Sequence, residues 1–428
     1  MRRLLAIREA RLYLAGQGLS TLGDNALWLA MAIWVKTLTG SSSAAGLVFF
    51  AFALPQLLSP LSGMLVDRVR RRPLLIAVNL ATGAAVLPLV AIRGPGDVWI
   101  AYAVMVAYGA AFTLLDAGGS ALVRAAVPDE VLPDMNGTLQ SLRQGLRLVS
   151  PLVGAGLFVT LGGPAVAVLD AATFAVAAGA LALMRVPEAR PAARAAGRWL
   201  DEVGAGVRHV LGTTVLRQLA LAGVAIMLVL GFSESLVFAV LDHGLHQPPS
   251  FFGLLATAQG AGSVLGGLVA ARVVRMAGEG RAFGLGLALL AVGVLLLAVP
   301  LVAPVVAGFA LFGVGLPVAI VGISTLLQRR TPDELQGRAY AALGLLLGVP
   351  QTLSIGLGAA LVAAVDYRLL LVAMTLVMAG SAAYVLTRSE QRRQPPAPAP
   401  DAEAAPARSA AVADSAAPSP EGSPGAAG

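Results

Sequence analysis

Ionisable side chains set inside long apolar runs are where this sequence can do chemistry. A charge at mid-bilayer costs about 2.5–3.5 kcal/mol on insertion scales, so each one needs a reason. Asp24 stands about halfway along the apolar run 12–36, beside Asn25. A carboxyl in that setting can hold a proton and exchange it for a cation or a substrate. Asp24 is therefore the first candidate for proton coupling; the plainer reading is a hydrogen-bonded structural acid. Asp116 lies eight residues before Arg124, and Arg143 seven residues after Asn136. The two runs are antiparallel, so Asp116 and Arg143 reach similar depth and can pair, and Asp116 joins the candidate protonation sites. Gln140, Arg143, Gln144 and Arg147 share one helical face by their three- and four-residue spacing. That face is too polar for lipid. It suits a substrate cavity, with Asn25, in which permanent arginine charges hold carboxylates or catecholates, or else a buried ionic cluster. Glu234, between Ser233 and Ser235, is a further candidate protonation site, although an acid solvated at the outer rim is the preferred reading, and Asp170 reads similarly. Gln259 and Gln351 are candidate cavity donors. Trp28, Trp34, Phe49, Phe50, Phe52 and Tyr108 read chiefly as packing or interface residues, with a drug cavity as their other use.

Other chemistries are excluded by what is missing. The 428 residues contain no Cys and three His, so thiolate metal sites, disulfides and Cys nucleophiles are out. His243 and His246 fall in a loop and read as solvated, and no metal or cofactor is expected. No Gly-x-x-x-x-Gly-Lys-Ser/Thr loop occurs, so nucleotide is not a partner and energy must come from an ion gradient. With 57% hydrophobic and 12% charged residues, the chain is neither a soluble enzyme nor a disordered polymer.

The elements that must position these residues are membrane helices. Twelve apolar runs long enough to span a bilayer cover 12–36, 44–66, 74–92, 98–123, 137–162, 164–184, 214–241, 250–271, 282–300, 302–327, 338–363 and 367–387. They lack the strict alternation of barrel strands. Of the 30 basic residues, 25 fall in loops and termini on one face. Lys36, Arg93 and Arg368 fall on the other, and Arg143 and Arg147 lie within a span. Basic loops stay inside. The Arg-rich face and both termini are thus expected in the cytoplasm, in the cytoplasmic (inner) cell membrane, and the net charge of +7 marks topology rather than nucleic-acid binding. The expected organisation is a six-helix bundle over 1–184, a cytoplasmic linker over 185–213, a second bundle over 214–387 and a disordered tail over 388–428. Within the linker, 198–210 admits an amphipathic helix on the inner leaflet; a plain linker whose arginines fix topology is preferred. A monomer is expected.

An internal repeat ties the halves together. ALVRAAVPDE at 121–130 returns as TLLQRRTPDE at 325–334, 204 residues later. At that offset Gly63-x-x-x-Asp67-Arg68 falls on Gly267-x-x-x-Ala271-Arg272, and Gly154-Ala155-x-Leu157 on Gly358-Ala359-x-Leu361. Two parallel six-span repeats with a site between them are the build of rocking transporters.

The run Gly63-Met-Leu-Val-Asp67-Arg68-Val-Arg70-Arg71-Arg72 resembles the signature between spans 2 and 3 of the major facilitator superfamily. The resemblance covers about residues 8–390. Gly23-Asp24-Asn25 and the Val-Pro-Asp-Glu…Asn136 loop are similar to its efflux branch, which includes macrolide exporters and the enterobactin exporter. It implies an all-α membrane fold of twelve helices and alternating access. It also implies that Asp67 locks the halves in the outward-facing state by contacting the start of span 11, near Gly337 and Arg338. Gly63 permits close packing, and with Asp67, Arg68, Arg71, Arg72 and Arg338 it makes up the expected gating set. Arg70, Arg71 and Arg72 either anchor to anionic headgroups or serve topology alone. Ser150-Pro151-x-x-Gly154-Ala155-Gly156 is similar to an exporter motif of span 5, with Ser150 and Ala155 in place of two Gly. Pro151, Gly154 and Gly156 would loosen that helix and pack it tightly. The expected function is proton-coupled efflux of a hydrophobic or amphiphilic small molecule such as a drug, antibiotic or siderophore-like compound. An importer or facilitator, and a membrane sensor that has lost transport, are the alternatives.

Overall fold

A computed structural model describes residues 4, 6–128, 131–186 and 198–391. Among these every regular element is helical. Nine segments of the described residues are long and apolar enough to cross a membrane. Each of the twelve expected spans falls on helix, with ends shifted by a few residues.

The first half opens with α1 (Arg8–Thr39), which Gly40 ends at φ 69° with its N–H on the Lys36 carbonyl. Ser41 then caps α2 (Ser42–Ala53) through its side chain. Pro55 and Pro60 break span 2, so that α2 passes through a tight turn at 54–58 into α3 (Ser59–Arg68). Next come α4 (Arg71–Val86) and α5 (Val98–Ala126). The following α6 (Leu132–Leu183) has 52 residues, far more than one crossing needs. Gly162 divides it at φ 78°, a conformation glycine enters without a Cβ penalty. Packing shows the reversal. Gly154 lies on Ala26 and Gly163 on Trp34; then Gly23 meets Thr173, and Gly16 meets Ala177 and Ala180. The chain climbs α1 and comes back down it, so 137–162 and 164–184 are separate spans.

After α7 (Arg198–Gly212), the second half holds α8 (Thr214–Leu230), α9 (Ser233–Ala239), α10 (Phe252–Ala277), α11 (Glu279–Leu296), α12 (Val302–Arg330), α13 (Asp333–Leu361) and α14 (Tyr367–Thr387). It repeats the contacts of the first. Gly109 of α5 sits against the Phe52 carbonyl, and 204 residues on Gly313 of α12 sits against the Gln259 carbonyl. Gly154 packs on the Ala26 backbone, and Gly358 on the Phe232 backbone. In each pair the missing side chain lets two helices approach.

The halves meet along a seam of α2 and α13 on one side and α6 and α10 on the other. Gly46 meets Ser235 and Ala359, Gly356 meets the Phe50 ring, and Gly253 meets Ala155 and the Pro151 carbonyl. Phe49 stacks with Phe238, ring centres 6.5 Å apart. Among the described residues these contacts gather toward the Arg-poor end, where spans 1 and 7 finish.

The plain-linker reading of 198–210 is corrected. This stretch is α7, and it packs on another helix: Gly206 lies on the Arg338 carbonyl and Ala342 of α13, and His209 stands 3.2 Å from the Thr331 hydroxyl. Helical periodicity gathers Gly206, Val207 and Val210 on one side, and burying that side against α13 stabilises a helix that composition alone leaves marginal. The linker residues 187–197 and the tail from 392 lie outside the described residues.

Candidate functional site

Three helices of the first half bring polar groups to one point in the membrane interior. Asp24 comes from the middle of α1, Tyr108 from α5 and Asp170 from the returning half of α6. The Tyr108 hydroxyl donates to Asp24 Oδ1 at 2.6 Å. Ser20, one turn back on α1, is a second hydroxyl neighbour of Asp24. Asp170 is 1% exposed. Among the described residues its two oxygens have no partner within 3.5 Å, and the Tyr108 hydroxyl, which is given to Asp24, is the polar group that faces it. Gly23 allows this convergence. A Cβ there would stand 2.6 Å from both Asp170 Oδ1 and Thr173 Oγ1, so only a bare backbone lets α6 bring its acid alongside Asp24. Aromatic rings close the pocket: Tyr108 lies edge-on to Phe174 at 5.6 Å and tilted against Phe52 at 6.1 Å. Two carboxyls flanking one phenol, shielded from bulk water, can take up, pass and release a proton.

Asp170 corrects the expectation of an acid solvated at the outer rim. The break at Gly162 falls between the two expected spans, and the return of α6 along α1 brings Asp170 to the depth of Asp24. Tyr108, set down chiefly as packing, is the hydrogen-bonding partner that sequence reasoning missed. The signal available was helical spacing: Asp170, Thr173 and Phe174 share the face that meets α1 and α5.

A second cluster lies nearer the Arg-rich end. Arg143 donates to Asp116 at 3.3 Å, the pairing that their matched depth suggested. Both side chains are about half exposed, so the pair faces open space rather than the protein interior. Gln140 is exposed beside them. The side chains of Gln144 and Arg147 lie outside the described residues. Asn25, Glu234, Gln259 and Gln351 are half-buried on separate spans. The backbone of Gln259 packs on Gly313 and that of Gln351 on Gly231.

Of the signature between spans 2 and 3, Gly63 and Asp67 lie on α3, with side chains outside the described residues, as is that of Gly337. Arg68 is exposed in the last turn of α3 and Arg71 starts α4 half-buried. Arg72 corrects the expectation of a headgroup anchor or mere topology. Its Nε donates to the Leu181 carbonyl at 2.8 Å, and a second nitrogen donates to the Ala182 carbonyl. Those carbonyls end α6, where a helix leaves acceptors unfilled and favours a cation. Arg338 is exposed, with its carbonyl under α7. Pro151 and Gly154 stand at close helix contacts, whereas Gly156 has open space where a side chain would go. The small residue facing α10 is Ala155 instead.

Ion pairs that spacing did not suggest join Arg329 to Glu279 at 2.6 Å and Lys36 to Asp242 at 3.0 Å. Among the described residues no three His, Cys, Asp or Glu side chains group as a metal site.

Comparison with known proteins fits this architecture. The multidrug efflux pump Tap of Mycobacterium tuberculosis is 30% identical over 376 residues, covering 81% of this chain and 87% of that protein. Macrolide efflux protein A of Streptococcus pyogenes is 28% identical over 177 residues, 41% of this chain and 44% of that one. The crystal structure of a bacterial homologue of the iron transporter ferroportin, in an inward-facing state, superposes with a TM-score of 0.70 at 17% identity, covering 90% of this chain and all of that one. A bacterial homologue of the human lysosomal transporter Spinster gives 0.65 at 12% identity, over 91% of this chain and 99% of that one. The model of the Major Facilitator Superfamily matches residues 13–245 and 221–418. With that match across both halves, and with the paired bundles described above, the chain belongs to the Major Facilitator Superfamily and is a multi-pass membrane transporter.

Proposed function

We propose that this transporter exports a hydrophobic or amphiphilic small molecule from the cytoplasm, driven by protons taken up at Asp24. The similarity to Tap over four-fifths of the chain is the observation that favours efflux. The convergence of Asp24, Tyr108 and Asp170 supports coupling through the first half. In this reading the Arg-rich face is cytoplasmic, as the distribution of arginine argues. The halves then touch toward the outside in this structure, and the conformer is the one closed to the exterior. A carboxyl loaded from outside and emptied inside lets the proton gradient bias which end of the seam opens. Arg143, exposed and positioned by Asp116, would meet acidic groups on the cargo.

Transport into inverted membrane vesicles tests this. Energised vesicles accumulate a lipophilic dye or macrolide, an uncoupler abolishes accumulation, and Asp24→Asn lowers the proton-driven rate by about 100-fold at equal protein level. Full retained activity in Asp24→Asn removes that carboxyl from coupling. Movement only down the solute gradient, indifferent to uncoupler, replaces the antiporter with a facilitator.

A further inference from the structure

Lys36 is the chain's only lysine and, though charged, is 6% exposed. It occupies the last turn of α1 at the Arg-poor end. Its ammonium donates to the Gly40 carbonyl at 2.8 Å, the Ser42 hydroxyl at 3.2 Å and Asp242 Oδ2 at 3.0 Å. Three donors thus have three acceptors. Two of them, Gly40 and Ser42, belong to the same half as Lys36. The third belongs to the other half, just beyond α9. Lys36 and Asp242 lie 206 residues apart, close to the repeat offset, so they mark corresponding ends of corresponding spans and meet across the seam. Beside them a cavity of about 520 Å³ is lined from both halves, by Ser41 and Ser43 on one side and His243, Asp366 and Arg368 on the other. The Asp242 side chain is 51% exposed, so water already reaches it.

We propose that Lys36 and Asp242 form a reversible latch that holds the Arg-poor end of the seam shut. This rests on the alternating-access reading. The division of acceptors makes the latch reversible. When the halves part, Lys36 keeps Gly40 and Ser42, and water replaces Asp242; the carboxylate, half hydrated beforehand, leaves without being stranded. A pair buried on both sides would lock the seam, because parting would leave uncompensated charge. A pair exposed on both sides would add almost nothing. One buried partner with local acceptors and one wet partner give a bias between these limits, of roughly five- to tenfold in the balance of closed and open forms.

The absence of cysteine supplies the test. Ser235 is fully buried against Gly46 across the seam, close to the latch. A single thiol placed there by Ser235→Cys reports when that end opens, read as the rate of modification by a water-soluble maleimide on the purified full-length protein. The expected rate is slow with the latch intact and about five- to tenfold faster with Asp242→Asn or Lys36→Met added. Lys36→Arg, which keeps the charge, and Asp366→Asn, which lies on the cavity but outside the pair, leave it slow. Equal rates in all five proteins overturn the latch, and so does acceleration by Asp366→Asn as large as by Asp242→Asn. Labelling reads the seam and vesicle efflux reads transport. Rates that follow the latch pattern in a protein without proton-driven efflux uphold the latch and overturn the efflux reading.

Discussion

The two halves share a fold but not a chemistry. At the repeat offset, Asp24, Tyr108 and Asp170 fall on Leu228, Phe312 and Met374, and Asp116 and Arg143 fall on Ile320 and Leu347. The second half therefore builds the same bundle, with the same close helix contacts at Gly313 and Gly358, from apolar groups alone at these five places. Met374 is fully buried where Asp170 is buried in the first half. The polar groups of the first half are thus not needed to make this architecture. A carboxyl with no hydrogen-bond partner, placed where its counterpart is a methionine, costs stability rather than supplying it. Proteins keep such costs at functional sites. The second half has its own acid in Glu234, on a different turn, and it falls on Ala30 of the first.

Replacing the acid by its counterpart breaks this comparison most directly. Asp170→Met is expected to lower proton-driven efflux by about 10- to 100-fold. The same change relieves an unpartnered buried carboxyl, so the midpoint of thermal unfolding in detergent should rise by about 2–6 °C. Activity and stability moving in opposite directions is the outcome that separates a functional acid from a structural one. A fall in both would make Asp170 part of the bundle's framework and reduce the contrast between halves to an accident of divergence.

Much of this contrast was legible in the sequence. Apolar run length, arginine placement and the repeat offset led to the twelve helices, because a bilayer imposes length and polarity on every span. Asp24 stood out for the same reason. Asp170 did not, because the break between 162 and 164 places the turn but not the face that the returning helix shows, and only the fold sets Asp170 beside Asp24 and Tyr108. Arg72 was hidden by a similar ambiguity. A basic run beside a span suits headgroups and topology equally well, and only the fold shows that the end of α6 arrives within its reach. Helix α7 was admitted by the sequence but not preferred, because the surface that stabilises it belongs to α13, far away in the chain. Lys36 and Asp242 carried a partial signal: two opposite charges 206 residues apart, within two of the repeat offset, at the ends of equivalent spans.

Tyr108→Phe sharpens the comparison at intermediate size, since phenylalanine is the residue the second half uses at Phe312. The ring contacts with Phe52 and Phe174 survive the change, and the hydrogen bond to Asp24 is lost. One hydrogen bond to a carboxylate corresponds to roughly a 3- to 10-fold loss in proton-driven rate. Its mark is a displaced pH dependence of efflux, with a small fall in thermal midpoint because Asp24 keeps Ser20 but loses one buried partner. A Tyr108→Phe protein whose pH profile overlays that of the parent would show that the phenol is only a filler of space, as its counterpart is.

The smallest effect belongs to the exposed pair. Asp116→Ile with Arg143→Leu gives the first half the residues of the second at both places. Half-exposed ion pairs contribute about 0–1 kcal/mol, so the thermal midpoint should barely move. Transport is the informative reading. If Arg143 meets acidic cargo, Arg143→Leu slows efflux of a compound bearing a carboxylate several-fold and leaves a cationic dye unaffected. Asp116→Ile alone, which frees the guanidinium, has the opposite sign for the acidic compound. Equal losses for both compounds in both variants would place the pair among the contacts that shape the first bundle. The difference between the halves would then rest on Asp24, Tyr108 and Asp170 alone.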